Sequence, residues 1–381
     1  VASFPKLNAS LMLLIDRTII LRFLGNFVTL FCLIFIFAVS IDVILQFDSF
    51  VGAARRAVDA GRFDSILLAT LAAILDFHGP RVFQFFAFMV GLVSIGAAGF
   101  TLAQMQRSRE LVALLASGFP LQRVMMAILL AAAGLNVLQI LNQELVIPRL
   151  ARVLLRDHGQ ILSTSQDSFP VPMTRDIHDN LLYAADLDPV SQTMFDFLVL
   201  VRDEAGTAIS RISAPEASWD EDAGAWILQS GSSVVRTEMD QGVVERVVPA
   251  LQYDTDLSPR ALSVRRHRDH AQMLSIAQIG DLREEGSDSS SALGRIKWAR
   301  IGGLGVNLLV LMIALPAFLR RVPESLLPQS VQCAALGVTL LLCSVVVMMI
   351  PVSGISPAIM ALLPTAFLLP VAFWRSASLQ T

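Results

Sequence analysis

Lysine is nearly missing from this chain. Only Lys6 and Lys297 occur in 381 residues, and neither follows a glycine-rich loop. The phosphate-cradling G-x-x-x-x-G-K-[ST] motif is therefore excluded, and any ATP-driven work falls to another chain. Charge as a whole is scarce: 16% of residues are Asp, Glu, Lys or Arg, against about a quarter in ordinary soluble domains. The three cysteines, Cys32, Cys333 and Cys343, all sit inside apolar runs, where a thiol behaves as a small hydrophobe. Their placement offers neither a disulfide framework nor a metal spacing. No G-x-S-x-G occurs and no Ser, His and Asp are arranged for nucleophilic attack. The apolar runs carry no paired carboxylates and no Ser/His pair, which counts against an intramembrane enzyme.

What is abundant is apolar surface, at 54% of residues and a mean hydropathy of +0.63. This composition belongs to a membrane protein. The segment from about 150 to about 292 is acidic and turn-rich, whereas both flanks are hydrophobic. The expected division is a first membrane block over 1-148, an aqueous β domain over 149-272, and a linker helix with a second membrane block over 273-381.

Crossing about 30 Å of hydrocarbon takes about 20 mainly apolar helical residues. Six runs qualify: Ile19 to Leu45, Val82 to Leu102, Leu121 to Ile140, Ile301 to Leu319, Val331 to Ile350 and Ala358 to Phe373. The first lacks a small-residue cleavage site and is too long for a signal peptide, so it reads as a retained span. The apolar piece Ser65 to Phe77 is too short to cross and stops at His78-Gly79-Pro80, which reads as an interfacial segment. Lys6, Arg17 and Arg22, then Arg107, Arg109 and Arg123, then Arg320 and Arg321, and finally Arg375 all fall on one side of a six-span path. That side is expected to be cytoplasmic, with both termini inside and the β domain outside. Arg55, Arg56 and Arg62 run against this rule and are partly offset by Asp48, Asp59 and Asp64.

Within the middle segment, FDFLVLVRD, EAGTAISRI, EASWDEDAGAWILQSG and SVVRTEMDQGVVERVV are short alternating runs split by Gly and Asp turns. They predict an all-β sandwich or barrel, closed or nearly so. Trp219 and Trp226 flank the hairpin DEDAGA and are expected to pack across it. LSIAQIGDLREEGSD then reads as an amphipathic helix and a Gly-Ser turn before the fourth span. His267 and His270 in RRHRDHAQM lack a third ligand, so that stretch reads as a solvated basic hinge and no metal is expected.

One polar stretch interrupts the first membrane block. RSRELVALLASGFPLQRV, Arg107 to Val124, predicts a short helix with Leu111, Leu114 and Leu115 on one face, Arg107, Glu110 and Gln104 to the side, and Gly118 then Phe119-Pro120 ending it. It can be a connector whose leucines dip into the interface, or a docking knob anchored by Glu110.

The stretch resembles the coupling helix of the LptF/LptG permeases, the membrane half of the lipopolysaccharide-exporting ABC transporter. EASWDEDAGAWILQSG, LSIAQIGDLREEGSD, LLVLMIALPAFLRR and ISPAIMALLPTAF, with Pro357 and Pro364, resemble later elements of the same family in the same order. One departure is local: the Ser of the family's Ser-Glu pair is replaced by Arg109, with Ser108 one residue earlier.

The resemblance implies a six-span α-helical protein of the bacterial inner membrane with an inserted periplasmic jellyroll-like domain. It implies a permease that extracts lipopolysaccharide or a similar glycolipid and passes it to an LptC/LptA-type jellyroll bridge, paired with a second LptF/LptG-type permease. A cytoplasmic ABC ATPase dimer, holding the ATP and Mg, would grip the coupling helix, about 104-119, through Arg107, Arg109, Glu110, Leu111, Leu114, Leu115 and Gly118. Glu110 would meet a basic ATPase side chain in a charge-assisted hydrogen bond. This chain itself would hold no cofactor and bind no nucleic acid.

A phosphate-bearing lipid should also meet basic groups at the outer mouth. Arg55, Arg56, Arg62 and Arg81 are the candidates, since guanidinium forks suit phosphate; the competing reading is arginines that snorkel to headgroups. Asp42, at the outer end of the first span, is either functional or a boundary marker. A membrane scaffold or sensor with a ligand-binding β domain is the alternative function. A lipoprotein-exporting permease fits less well, because its large insert follows the first span and here it follows the third.

Overall fold

The computed structural model describes residues 9–156, 161, 168–203, 206–239, 242–269, 271–284, 290–319, 326–350, 352 and 354–377. The chain divides into two compact units, one of residues Val1–Leu154 with Gln272–Thr381 and one of Leu155–Ala271. Six helices of the first unit are long and apolar enough to cross a membrane, as the hydrophobic runs led us to expect.

In chain order the membrane unit begins with α1 (Ala9–Leu45), α2 (Phe47–Asp59) and α3 (Ile66–Arg107). It continues with α4 (Glu110–Ala116), α5 (Leu121–Leu141), a π-helical turn over Asn142–Val146 and α6 (Ile147–Leu154). After the insertion come α8 (Ile276–Glu284), α9 (Ser290–Ala314), α10 (Leu326–Met349) and α11 (Pro357–Ala377). Arg320 and Arg321, used above for orientation, lie outside the described residues. The core runs through the bundle on Phe23, Leu102, Phe119, Ile128, Val310 and Phe318, all essentially inaccessible. Phe27, Phe31 and Phe35 of α1 meet Phe85 and Phe86 of α3 with ring centroids 5.4 to 6.2 Å apart.

Helices in lipid gain little from burial, so close approach and hydrogen bonds hold them together. Gly302 of α9 lies against the backbone of α11: a Cβ placed there would fall on the Ala361 carbonyl oxygen. Beside it, Thr365 Oγ1 donates to the Gly302 carbonyl at 3.2 Å. On the other side of the bundle, Gln139 Nε2 and Asn142 Nδ2 donate to the Ala87 and Phe83 carbonyls of α3 at 3.0 and 2.8 Å.

One expectation is corrected. Ser65 to Phe77 is not a separate interfacial piece, because α3 runs unbroken through His78-Gly79-Pro80 for 42 residues. Ser65 is its N-cap, accepting from the Leu68 amide. Proline inside a membrane helix is tolerated where neighbours cover the freed backbone. Here the Arg81 side chain reaches back to the Phe77 carbonyl at 2.7 Å, within the turn that Pro80 interrupts. Phe50 of the amphipathic α2 covers the same turn, stacking on His78 and meeting Phe77 edge-on, with centroids 5.8 and 5.7 Å away.

The second unit holds β1 (Phe169–Arg175), β2 (Leu181–Asp188), β3 (Thr193–Arg202), β4 (Ala208–Asp220), β5 (Ala225–Gln229), β6 (Ser232–Met239), β7 (Gly242–Pro249) and β8 (Gln252–Asp254), followed by α7 (Pro259–Asp269). All pairings are antiparallel, in the order β1-β2-β3-β4-β5-β8. The long β4 branches: Ser210 to Ser213 pair with β6, and Glu216 to Asp220 pair with β5. β7 continues from β6, giving an open, jellyroll-like sheet rather than the closed or nearly closed one that the alternating runs predict, because β4 splits its pairing between β5 and β6 and the path ends on β1 and β8. Pro170 and Pro172 sit on β1, which among the described residues pairs only with β2, where a missing amide costs least.

Its core gathers Trp226, Phe197, Leu182, Leu187, Met194 and Val199 on one face. Trp219 and Trp226 are direct cross-strand partners with centroids 5.3 Å apart, as their spacing suggested. A buried polar network closes one end. Asp176 accepts the His178 and Asn180 amides, each at 2.9 Å, and the Tyr253 hydroxyl. Asn180 also donates to the Tyr253 oxygen at 3.0 Å. Burial first, and then the hydrogen bond to Asp176, push the Tyr253 pKa above its ordinary value. The RRHRDHAQM stretch is helical through Asp269, and His270 lies outside the described residues.

Candidate functional site: the short helix between the second and third spans

α3 ends at Arg107 and the chain turns back through Ser108 and Arg109. Arg109 takes the left-handed conformation at φ 57°, which is uncommon for a residue with a Cβ. It bends the path so that α4 starts at Glu110. Four residues of the expected stretch therefore belong to the last turn of α3, and the free-standing helix is only Glu110–Ala116. It stops in a Schellman arrangement: the Phe119 amide donates to Leu114 O at 2.9 Å and the Gly118 amide to Leu115 O at 3.0 Å. Gly118 stands at φ 77°, a conformation glycine adopts without a Cβ penalty, and Phe119 is buried behind it.

The leucines face the bundle. Leu111 is buried and Leu114 and Leu115 pack on its core. Val112, Ala113, Ala116, Ser117 and Gly118 are the exposed face. Arg107 and Arg109 are exposed beside it.

Glu110 is held from both sides. Arg22 of α1 pairs with its Oε2, and Ser108 Oγ donates to its Oε1 at 2.9 Å. The serine one residue early thus reaches the glutamate, and Arg109 does the bending. A bidentate pair backs this up, with Arg123 of α5 donating to both oxygens of Asp16 on α1 at 2.8 to 3.2 Å. Asn26 of α1 adds bonds to Thr101 and Gln104 of α3 at 2.8 and 3.3 Å. The foot of α1 is therefore fastened to α3, α4 and α5 at this end. A groove of about 360 Å³ runs between α1 and α4, lined by Ile15, Arg22, Met105, Glu110 and Leu114. Sequence reasoning used Arg22 and Arg123 only for orientation and passed over Asp16; a lone acid in an apolar flank was the available signal.

The outer-mouth candidates fall into two groups. Asp42 and Arg81 each meet the Phe77-His78 turn of α3: His78 Nε2 lies 3.3 Å from Asp42 Oδ2, and the Arg81 guanidinium stacks 3.3 Å above the Phe77 ring. Arg55 and Arg56 are on the exposed face of α2, and Arg62 follows in the turn after it. A second cavity of about 230 Å³ lies between α3, α5, α9 and α10, lined by Phe88, Gly91, Gln139, Asn307, Leu341 and Met348 among others.

Six helices long and apolar enough to cross a membrane, interrupted after the third by a β domain and with a short helix pinned between the second and third, define a polytopic membrane protein. The family model for "Lipopolysaccharide export system permease LptF/LptG" matches residues 17–378. The chain belongs to this family, a transporter component rather than an enzyme, and is a multi-pass protein of the inner membrane. No curated protein matches it.

Proposed function

We propose that this chain is one permease of an ABC transporter that draws lipopolysaccharide or a similar glycolipid from the inner membrane and hands it to a periplasmic jellyroll bridge. The energy comes from a separate cytoplasmic ATPase dimer, which holds the ATP and Mg and docks on α4. On this reading both termini face the cytoplasm, the β domain faces the periplasm, and Arg55, Arg56, Arg62, Arg81 and Asp42 lie towards the lipid's headgroup. The observation that carries it is α4 itself, a helix with an exposed face whose charged start is tied by Arg22 and Ser108 to the first two spans. A push on such a helix moves spans rather than a loose loop.

The pockets of about 230 and 360 Å³ are at or below the low end of small-molecule sites, about 300 to 1,000 Å³. On this reading a glycolipid with several acyl chains travels in a larger passage made with a second permease, not in either of these two cavities.

The test is co-purification in detergent with candidate ATPases for wild type, Glu110→Arg, and the Arg22→Glu/Glu110→Arg swap. Glu110→Arg is expected to lose the ATPase. The swap restores the internal pair while keeping the reversed charge at position 110. Loss in both variants supports an outward contact by Glu110, whereas recovery in the swap assigns Glu110 to holding α4. An ATPase that is never retained by wild type sinks the transport reading.

A further inference from the structure

At the end of the bundle away from α4, the chain returns from the β domain through a strap, residues 272 to 276, that three side chains grip. Gln143 Nε2 donates to the Gln272 carbonyl at 2.9 Å. Arg300 donates to the same carbonyl at 2.8 Å and to the Leu274 carbonyl at 2.7 Å. Glu144 accepts the Ile276 amide at 2.8 Å and stands 3.5 Å from Arg300. Gln143 and Glu144 belong to the π turn that ends the third span, and Arg300 to the fourth. A π turn closes i→i+5 bonds and is found mostly as a single-turn bulge inside an α-helix, frequently at a functional site; here Glu144 of that turn reaches both the strap and Arg300.

Most of Arg300 is enclosed, with 16% of its side chain exposed. An arginine fork on two carbonyls and a carboxylate is a set of charge-assisted bonds that a lysine's point charge cannot reproduce. Residue 272 is the first after the β unit, which ends at Ala271, so whatever fixes the strap fixes the covalent exit of that domain.

We infer that Gln143, Glu144 and Arg300 form a clasp that makes the β domain's return strap a rigid continuation of spans three and four, positioning residues for transport that carry helix movement into the β domain. The inference rests on the transport reading above. It does not involve α4 or the outer-mouth arginines. When α5 or α9 shifts, the strap travels with it instead of absorbing the displacement as a slack loop.

The test uses the full chain with its co-purified permease and ATPase. The clasp is removed by Glu144→Gln/Arg300→Gln, with Arg300→Lys as the conservative variant. Two readouts are followed: hydrogen exchange of the Ile276 amide, and ATP-dependent release of lipopolysaccharide from proteoliposomes beside ATP hydrolysis. Loss of a hydrogen bond to a charged group corresponds to a change of about tenfold or more. The double variant should exchange Ile276 faster by about that factor and lose release to a similar extent while still hydrolysing ATP. Arg300→Lys should fall between.

Rescue separates positioning from mere folding. In a background without Cys32, Cys333 and Cys343, Gln143→Cys and Gln272→Cys are bridged by a short bis-methanethiosulfonate reagent; Gln272 contributes its carbonyl to the clasp, not its side chain. The bridge should restore release to the double variant, and reduction should remove it again. Release that survives loss of the clasp, or that the bridge does not restore in a well-folded complex, overturns the inference. So does a wild-type Ile276 amide that exchanges as fast as open chain. A wild-type complex that hydrolyses ATP but releases no glycolipid sinks the transport reading instead, and the exchange data still decide whether the clasp holds.

Discussion

The membrane unit and the β domain use their polar side chains in opposite ways. In the β domain they close an end: Asp176, Asn180 and Tyr253 satisfy one another and the turn between β1 and β2, while an aromatic and aliphatic core supplies the burial. In the membrane unit they tie separate helices together, side chain to side chain at Arg22–Glu110, Arg123–Asp16 and Asn26–Thr101, and side chain to backbone carbonyl from Gln139, Asn142, Thr365 and Arg300. The difference follows from the solvent. Water drives the β core together, whereas lipid is as apolar as leucine, so spans are held by close approach and by hydrogen bonds.

The comparison can be broken first where two spans touch backbone to backbone. Gly302→Val would place a branched side chain on the Ala361 carbonyl. Because backbone cannot swing aside as a side chain can, the cost should exceed the about 1–3 kcal/mol of ordinary overpacking. The expected outcome is aggregated or degraded protein on size-exclusion chromatography in detergent, and a monodisperse peak would refute the close-approach argument.

Trp226→Ala comes next. Its indole is fully buried and donates to the Leu257 carbonyl at 3.0 Å, so removal should destabilise the β domain by about 3–5 kcal/mol. Faster amide exchange in β3 and β5, with α1 and α5 unchanged, is the signature to seek.

The smallest effect is expected from Tyr253→Phe, about 1–3 kcal/mol, since it leaves Asp176 short of a buried partner. pH sharpens it. The folded-state pKa of Tyr253 is raised, so its contribution is complete below the unfolded value of about 10 and is lost as pH rises above it. Wild type should therefore lose β-domain stability in alkali more steeply than the Phe variant, measured by urea unfolding at neutral and alkaline pH. Parallel curves would argue against the buried hydroxyl.

Much of this architecture was legible in the chain. Runs of about 20 apolar residues mark spans because no other element needs them, and DEDAGA between two tryptophans marks a hairpin because turn and cross-strand pair agree. His78-Gly79-Pro80 misled for a physical reason: Pro and Gly end helices when water competes for the backbone, and here Arg81 and Phe50 occupy that place. The amphipathic α2 left a trace in Phe50, Ala53, Ala54 and Ala57, which share its buried face, but its charge drew attention to the arginines instead. Glu144 and Arg300 could not be paired by reading, since 156 positions separate them and neither sits in a motif. At α4 the leucine spacing gave the helix but not the left-handed Arg109 that sets its direction.

The unbroken course of α3 has a mechanical meaning. Its 42 residues make a rod of about 63 Å, roughly twice the hydrocarbon thickness of about 30 Å. One end carries the turn into α4, and the other carries the cap at Ser65 and the contacts with α2. α1 and α10 pack along it, so on the transport reading proposed above it would act as a lever, a tilt at Arg107 displacing Ile66 the opposite way. Pro80 lies in the far arm of that lever, beside the turn on which α2, with Arg55 and Arg56 on its exposed face, is packed.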